Sequence, residues 1–327
     1  MGCLVVSLFV FEVLVRCFAP HPCYEEPMWI DVNTGYLMRP NFHGRATNMF
    51  GEFDTLIEIN REGFRDFNHP LQKAPHTLRI AFLGDSFTCG EQVEENEVFV
   101  RRVGESLHGT LHRPVECLNF GIGGYDTQQE VLCYESFVRK YHPDVVVLEM
   151  YPRNDIIGNI FYETEQNFGR PYYRFQEDRL VKVAADPVKL QRNYETEKRH
   201  LGVRWYHHLQ GYNAFKHLRW EILKYWDRYW VTKHPPSLTD LHREAWYESL
   251  RYYEIPSDAF VQRAEKATQL LLERLEREIR LDGGLFFIAI FPSYSSLWPE
   301  RWPDRRQGTQ FRVVPTQPPR AGGHNLR

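Results

Sequence analysis

Neither sign of charge dominates this chain: 43 Asp and Glu against 40 Lys and Arg leave a net charge of −3. So weak a field does not gather polyanions, and no nucleic-acid partner is expected. Six cysteines (Cys3, Cys17, Cys23, Cys89, Cys117, Cys133) stand far apart with no Cys-x-x-Cys pair, which excludes a zinc ribbon and a disulfide scaffold. There is no internal repeat. His200, His207, His208, His217 and His234 have no carboxylate or cysteine at convincing ligand spacing, so no metal and no other cofactor is expected. A bilayer-length hydrophobic run is missing too. Cys3 to Val15 is apolar except for Ser7 and Glu12, 13 residues where a span needs about 20. No basic n-region and no small-residue cleavage site flank that run, as a secretory signal would require. Val6 stands where Ser or Thr is needed for myristoylation after Met1-Gly2.

What is present is the composition of a packed protein: 43% hydrophobic, 15% aromatic and 25% charged residues among 327. A wholly disordered chain is excluded, and one large domain carrying an insertion is expected. Residues 1–18 read either as a hydrophobic helix lying on the domain or, preferably, as the end of a signal anchor whose first turns precede Met1. That reading makes the protein membrane-anchored on the extracytoplasmic side. Residues 299–327 hold six Arg and five Pro against two acids, the composition of an unpacked tail.

Four segments read as buried strands: Leu78 to Leu83, Val115 to Phe120, Asp144 to Met150 and Leu285 to Phe291. Between the first two, Asn96 is the expected N-cap of a helix carrying Val98, Phe99, Val103 and Leu107. Thr127 and Glu130 form a capping box for the next helix. Ser257 caps a long one with the stripe Phe260, Ala264, Ala267, Leu271, Leu275 and Ile279, ended by Gly283-Gly284. Glu273, Arg274, Glu276, Arg277, Glu278 and Arg280 read as its solvated face. This alternation predicts an α/β fold: a three-layer, flavodoxin-like parallel sheet of order 2-1-3-4, covered on both faces, with a fifth strand absent or degraded. Two stretches break the alternation. Residues 19–77 are polar and turn-rich, with Asn60 to Arg65 distinctive. The insertion at 159–256 is crowded with aromatics, among them Tyr172, Tyr173, Phe175, Trp205, Trp220 and Trp226. They line a cleft, form a membrane-facing cap, or, most simply, supply the insertion's own small core.

Chemistry concentrates at the carboxyl ends of the strands, where open α/β sheets bind ligands. The first ends in Gly84-Asp85-Ser86-Phe87. Ser86 there is a nucleophile beside backbone N–H groups that hold an oxyanion, or else the N-cap of an ordinary turn. The second ends in Asn119-Phe120-Gly121-Ile122-Gly123-Gly124, where glycines let backbone approach a ligand. The third ends in Tyr151-Pro152-Arg153-Asn154-Asp155, with Asn154 an amide donor or the head of an Asx-turn.

These three blocks, within residues 78–157, resemble the SGNH (GDSL-like) hydrolase superfamily, and 258–292 resembles it in pattern. The resemblance makes 78–298 the hydrolase-like domain, Ser86 the nucleophile, and Gly124 and Asn154 oxyanion donors alongside Ser86 N–H. Pro152 replaces the usual glycine of the third block. The hydrophobic start and Asn60 to Arg65 look like bacterial membrane-anchored members. The implied activity is serine-esterase hydrolysis of an acyl ester, a small molecule or an O-acetyl group on a glycan. The family's Asp-x-x-His, which supplies the general base, has no counterpart: Gln307 lies three residues after Asp304, and Ala321 three before His324. Either the base is lost or the reading frame shifts near Ser296 to Arg301, the favoured account. Activity is therefore expected to be impaired. The alternatives are a glycan O-acyltransferase and a non-catalytic glycan- or envelope-binding protein.

Overall fold

The computed structural model describes residues 2–18, 28–47, 53–161, 167–201 and 259–292, with a few single positions between 209 and 222. All but Pro292 belong to one unit, Met1–Phe291. In chain order its elements are α1 (Gly2–Phe18), β1 (Met28–Asp31), β2 (Gly35–Met38), β3 (His43–Thr47), β4 (Asp54–Glu58), β5 (Leu78–Gly84), α2 (Ser86–Cys89) and α3 (Phe99–Leu111). Then follow β6 (Val115–Gly121), α4 (Thr127–Cys133), β7 (Val145–Met150), α5 (Pro152–Phe161), β8 (Tyr172–Gln176), β9 (Arg179–Val183), α6 (Pro187–Leu201), α7 (Ala259–Leu281) and β10 (Leu285–Ile290).

The four expected strands are β5, β6, β7 and β10, and they pair in parallel in the order β10-β7-β5-β6, which is 2-1-3-4 counted along the chain. Strand alternation sorts their side chains into two layers. Ile80, Phe82 and Cys117 face α3 with Val98 and Val100. Ala81, Leu83, Val146 and Leu148 face the other way, against Leu271, Leu275 and Ile279 of α7 and Val131 and Leu132 of α4. The long stripe of α7 is buried as its 3.6-residue period requires, and Gly283 at φ 86° ends it.

Among the described residues, coverage of both faces holds for three strands. On β10, Leu285 and Phe287 are exposed on the side where α3 packs over β6, and Ile288 and Ile290, beside Leu148 and Met150, are exposed on the α7 side as well. Two expected caps are also corrected. Asn96 sits inside a 3₁₀ turn, Glu95–Glu97, and Val98 occupies the N-cap position of α3. Thr127 is already helical; Asp126 caps α4, its side chain accepting from Gln129 N–H at 3.2 Å. The charged run on α7 is partly tertiary, since Arg274 pairs with Glu135 as well as Glu278, and Glu278 with Arg139.

The segment before β5 contains two antiparallel hairpins, β1–β2 and β3–β4, and it closes the β6 edge. Asp66 Oδ2 accepts the edge amide of Asn119 at 2.8 Å, and Phe64 stacks edge-on against Phe120 at 4.9 Å. Buried Arg65 donates to the carbonyls of Gly90, Leu56 and Val93. From the insertion, Tyr173 joins the main core rather than a separate one. Trp205, Trp220, Trp226, the histidines His207, His208, His217 and His234, Ser257 and the tail lie outside the described residues. Helix α1 exposes Val5, Leu8, Phe9, Val10, Phe11 and Leu14 and buries Val15; no described helix is long and apolar enough to cross a membrane.

Candidate active site

The sequence-predicted residues meet at one end of the sheet. Ser86 opens α2, one residue past β5, and is not the cap of that turn: Asp85 is, its Oδ1 accepting Phe87 N–H at 2.8 Å. The hydroxyl of Ser86 makes no hydrogen bond to any described residue, and the side chain is half-buried. Beside it runs the loop after β6. A Cβ built on Gly123 would lie 4.0 Å from Ser86 Cβ and 3.7 Å from Glu91 Oε1, so the two chain segments are in van der Waals reach.

That approach needs glycine at Gly121, where a Cβ would fall 2.4 Å from Cys89 N and 2.6 Å from Thr88 C, both backbone atoms that cannot move aside. Gly124, at φ 79°, holds the left-handed conformation that L side chains avoid. Asn119 ties the pieces together: its Nδ2 donates to Thr88 O at 2.9 Å, and its Oδ1 accepts Gly121 N–H at 2.9 Å. Neither Ser86 N–H nor Gly124 N–H donates to a described residue. Two backbone donors, one on the serine's own turn and one on the adjoining loop, thus have no acceptor among the described residues.

Asn154 lies in the first turn of α5, where Pro152 takes the helix-initiating position that tolerates its missing N–H. The Asx-turn alternative is therefore not what the structure contains. Its Nδ2 donates to Asp85 Oδ2 at 2.9 Å and touches Tyr125 O at 3.4 Å. The first bond commits one amide hydrogen and aligns the side chain with the turn bearing Ser86; the second hydrogen makes only the long bond to Tyr125 O.

Underneath lies a group of acids whose burial sequence reasoning did not anticipate: Asp85, Asp126, Glu130, Glu149 and Asp155, all buried, Glu130 having been read as half of a capping box. Glu149 Oε2 accepts from Asp85 N–H at 3.3 Å and Thr88 Oγ1 at 3.2 Å. Burial first, then the charge of Asp85, pushes the Glu149 carboxyl up to about 8. Burial and neighbouring carboxylates also raise Glu130 and Asp155 well above the usual range. The cause is elementary, since like charges cannot all ionise in a low-dielectric interior. The signal in the sequence was the Glu interrupting an apolar strand, Leu148-Glu149-Met150. Among the described residues no group of His, Cys, Asp and Glu is arranged to hold a metal ion. A separate groove of about 600 Å³ lies near Glu135, Arg139, Lys182 and Arg274, whose charges are engaged in ion pairs.

No family model and no curated protein matches the chain. Among solved structures, one match is BT4096, a gut microbial diltiazem-metabolizing enzyme, at 14% identity and a TM-score of 0.25, the alignment covering 66% of this chain and 38% of that one. The chain thus spans well under half of that enzyme's length, and so loose a likeness carries no argument.

Proposed function

We propose that this chain is a serine esterase acting on an acyl ester, a small molecule or an O-acyl group of a glycan. Ser86 Oγ attacks the ester carbonyl. Ser86 N–H, Gly124 N–H and the second Asn154 amide hydrogen receive the oxyanion, the alcohol leaves with a proton, and water releases the acyl group from the serine. The observation that carries this reading is the meeting of three consecutive strand ends around one serine whose neighbouring backbone N–H groups have no partner among the described residues. Its chemistry is slow as described: no described histidine or carboxylate bonds Ser86 Oγ, and a positioned base contributes about 10²–10⁴-fold. The test is labelling by a fluorophosphonate, with the adduct mapped by mass spectrometry. A Ser86 adduct, absent in Ser86→Ala, together with slow release of p-nitrophenol from its acetate, is expected.

The unpartnered hydroxyl favours one second reading, a non-catalytic glycan-binding protein that keeps the cleft. A folded chain that gives no adduct yet binds O-acetylated glycan would select it. Under either reading α1 associates with lipid. Val5, Leu8, Phe9 and Phe11 are exposed although Val15 is buried, an apolar surface that suits an acyl-chain environment. Flotation with phospholipid vesicles, lost in Leu8→Asp/Phe11→Asp, is the expected result.

A further inference from the structure

The oxyanion loop is held from outside the α/β layers, by a tyrosine of the first hairpin. Tyr36, on β2, is buried, and its Oη donates to Gly123 O at 3.0 Å across 87 residues of sequence. The tyrosine is itself clamped. Tyr125 Oη and Thr34 Oγ1 donate to its carbonyl at 2.6 and 3.1 Å. Its ring meets that of Tyr125 edge-on at 5.2 Å, and the Arg170 guanidinium lies over it at 4.6 Å. The hydroxyl is thus a fixed point rather than a surface group.

Gly123 C=O and Gly124 N–H belong to the same peptide unit. In a trans planar peptide these two bonds point in opposite directions. A donor that fixes the carbonyl therefore fixes the direction of the N–H, and a hydrogen bond to the carbonyl also polarises the amide into a stronger donor. The loop needs such a constraint, since Gly123 and Gly124 have no side chains to restrict the rotation of this peptide, and Gly124 N–H has no described acceptor. The phenol stays a donor across the working pH range, because burial, reinforced by the charges of Asp126 and Asp85, keeps its proton on.

We propose that Tyr36 is a positioning residue of the active site, orienting the Gly123–Gly124 peptide so that Gly124 N–H faces the oxyanion formed at Ser86. This rests on the esterase reading above. It makes the N-terminal hairpin a working part of the site, although Tyr36 touches no reacting atom.

The test is saturation kinetics of fluorophosphonate labelling of the full-length chain, separating the maximal rate from the half-saturating concentration. Removing one oxyanion donor outright costs about 10²–10³-fold, so misorienting one should cost somewhat less. Tyr36→Phe is expected to lower the maximal labelling rate about 10–100-fold with half-saturation unchanged. Tyr134→Phe, which deletes a hydroxyl bonded to distant Asp282, should label as wild type does. Replacing Tyr36 with 4-aminophenylalanine, which restores a donor, should recover the rate. Should Tyr36→Phe fail to fold, 4-fluorophenylalanine at that position fills the hydroxyl's volume without donating, and the same loss is expected. A wild-type maximal rate in a variant without the donor overturns the inference and leaves the esterase reading intact. No adduct on the folded wild-type chain overturns both, and a rate loss not recovered by the amino group overturns the positioning role alone.

Discussion

The two edges of the parallel sheet are finished in opposite ways. At β6 the outward amide of Asn119 is taken by Asp66, Phe64 covers Phe120, and Arg101 and His69 hold the Asp66 carboxylate. At β10 the side chains of Leu285, Phe287 and Ile290 are 55%, 56% and 52% exposed, and no charge or proline interrupts Leu285–Ile290. Long apolar edges are what proteins usually blunt or cover. The contrast teaches that the hairpin segment is sheet architecture, and that among the described residues β10 is left exposed on both faces.

The contrast is broken most forcefully at the closed edge. Asp66→Ala strands a buried amide and removes one of Arg101's two carboxylate partners, leaving Glu95; loss of a buried pair of this kind costs about 3–5 kcal/mol, measured as a shift in urea unfolding. Leu275→Ala probes the sheet face that α7 covers. It opens a cavity under α7 and should cost about 2–5 kcal/mol, showing that α7 is anchored on the central strands while β10 stays exposed.

The middle of the sheet gives a smaller, pH-dependent effect. Folded, Glu149 keeps its proton up to about 8, against 4.5 ordinarily, so between those values the native chain binds the extra proton. That contribution is complete below about pH 4.5 and is lost as pH climbs towards 8. Unfolding midpoints should therefore fall from about pH 5 to about pH 8, and Glu149→Gln should flatten that slope. Smallest in stability is Phe287→Lys on the open edge, within about 0.5 kcal/mol. Its expected signature lies elsewhere: less concentration-dependent association in sedimentation, with unfolding unchanged.

How much of this was legible in the sequence follows from physics. The four core strands were found to within a residue because each is a continuous apolar run, the pattern that burial on both faces produces in β5, β6 and β7 and that β10 carries although it is exposed. The hairpins were not, since a strand such as His43–Thr47 is short, polar and without a buried alternation of its own. The caps slipped by a residue or two where neighbouring polar residues compete, Asp126 beside Thr127. Ser86, Gly124 and Asn154 were legible because each stands at a strand end. Asp66 and Tyr36 were not, as their partners lie 53 and 87 residues away and a local pattern carries no trace of such pairings. The buried acids were hidden because an acidic letter in a sequence reads as surface.

Those long separations also bear on how the chain acquires its shape. The bonds from Tyr36 to Gly123 and from Asp66 to Asn119 close large loops, and contacts of that kind slow folding because chain entropy is lost before they form. During synthesis the hairpins emerge well before β6 exists. They must wait, unsupported, for the strand they will border, so this edge is sealed late and the stretch around Tyr36 is the part of the nascent chain most exposed to misassembly.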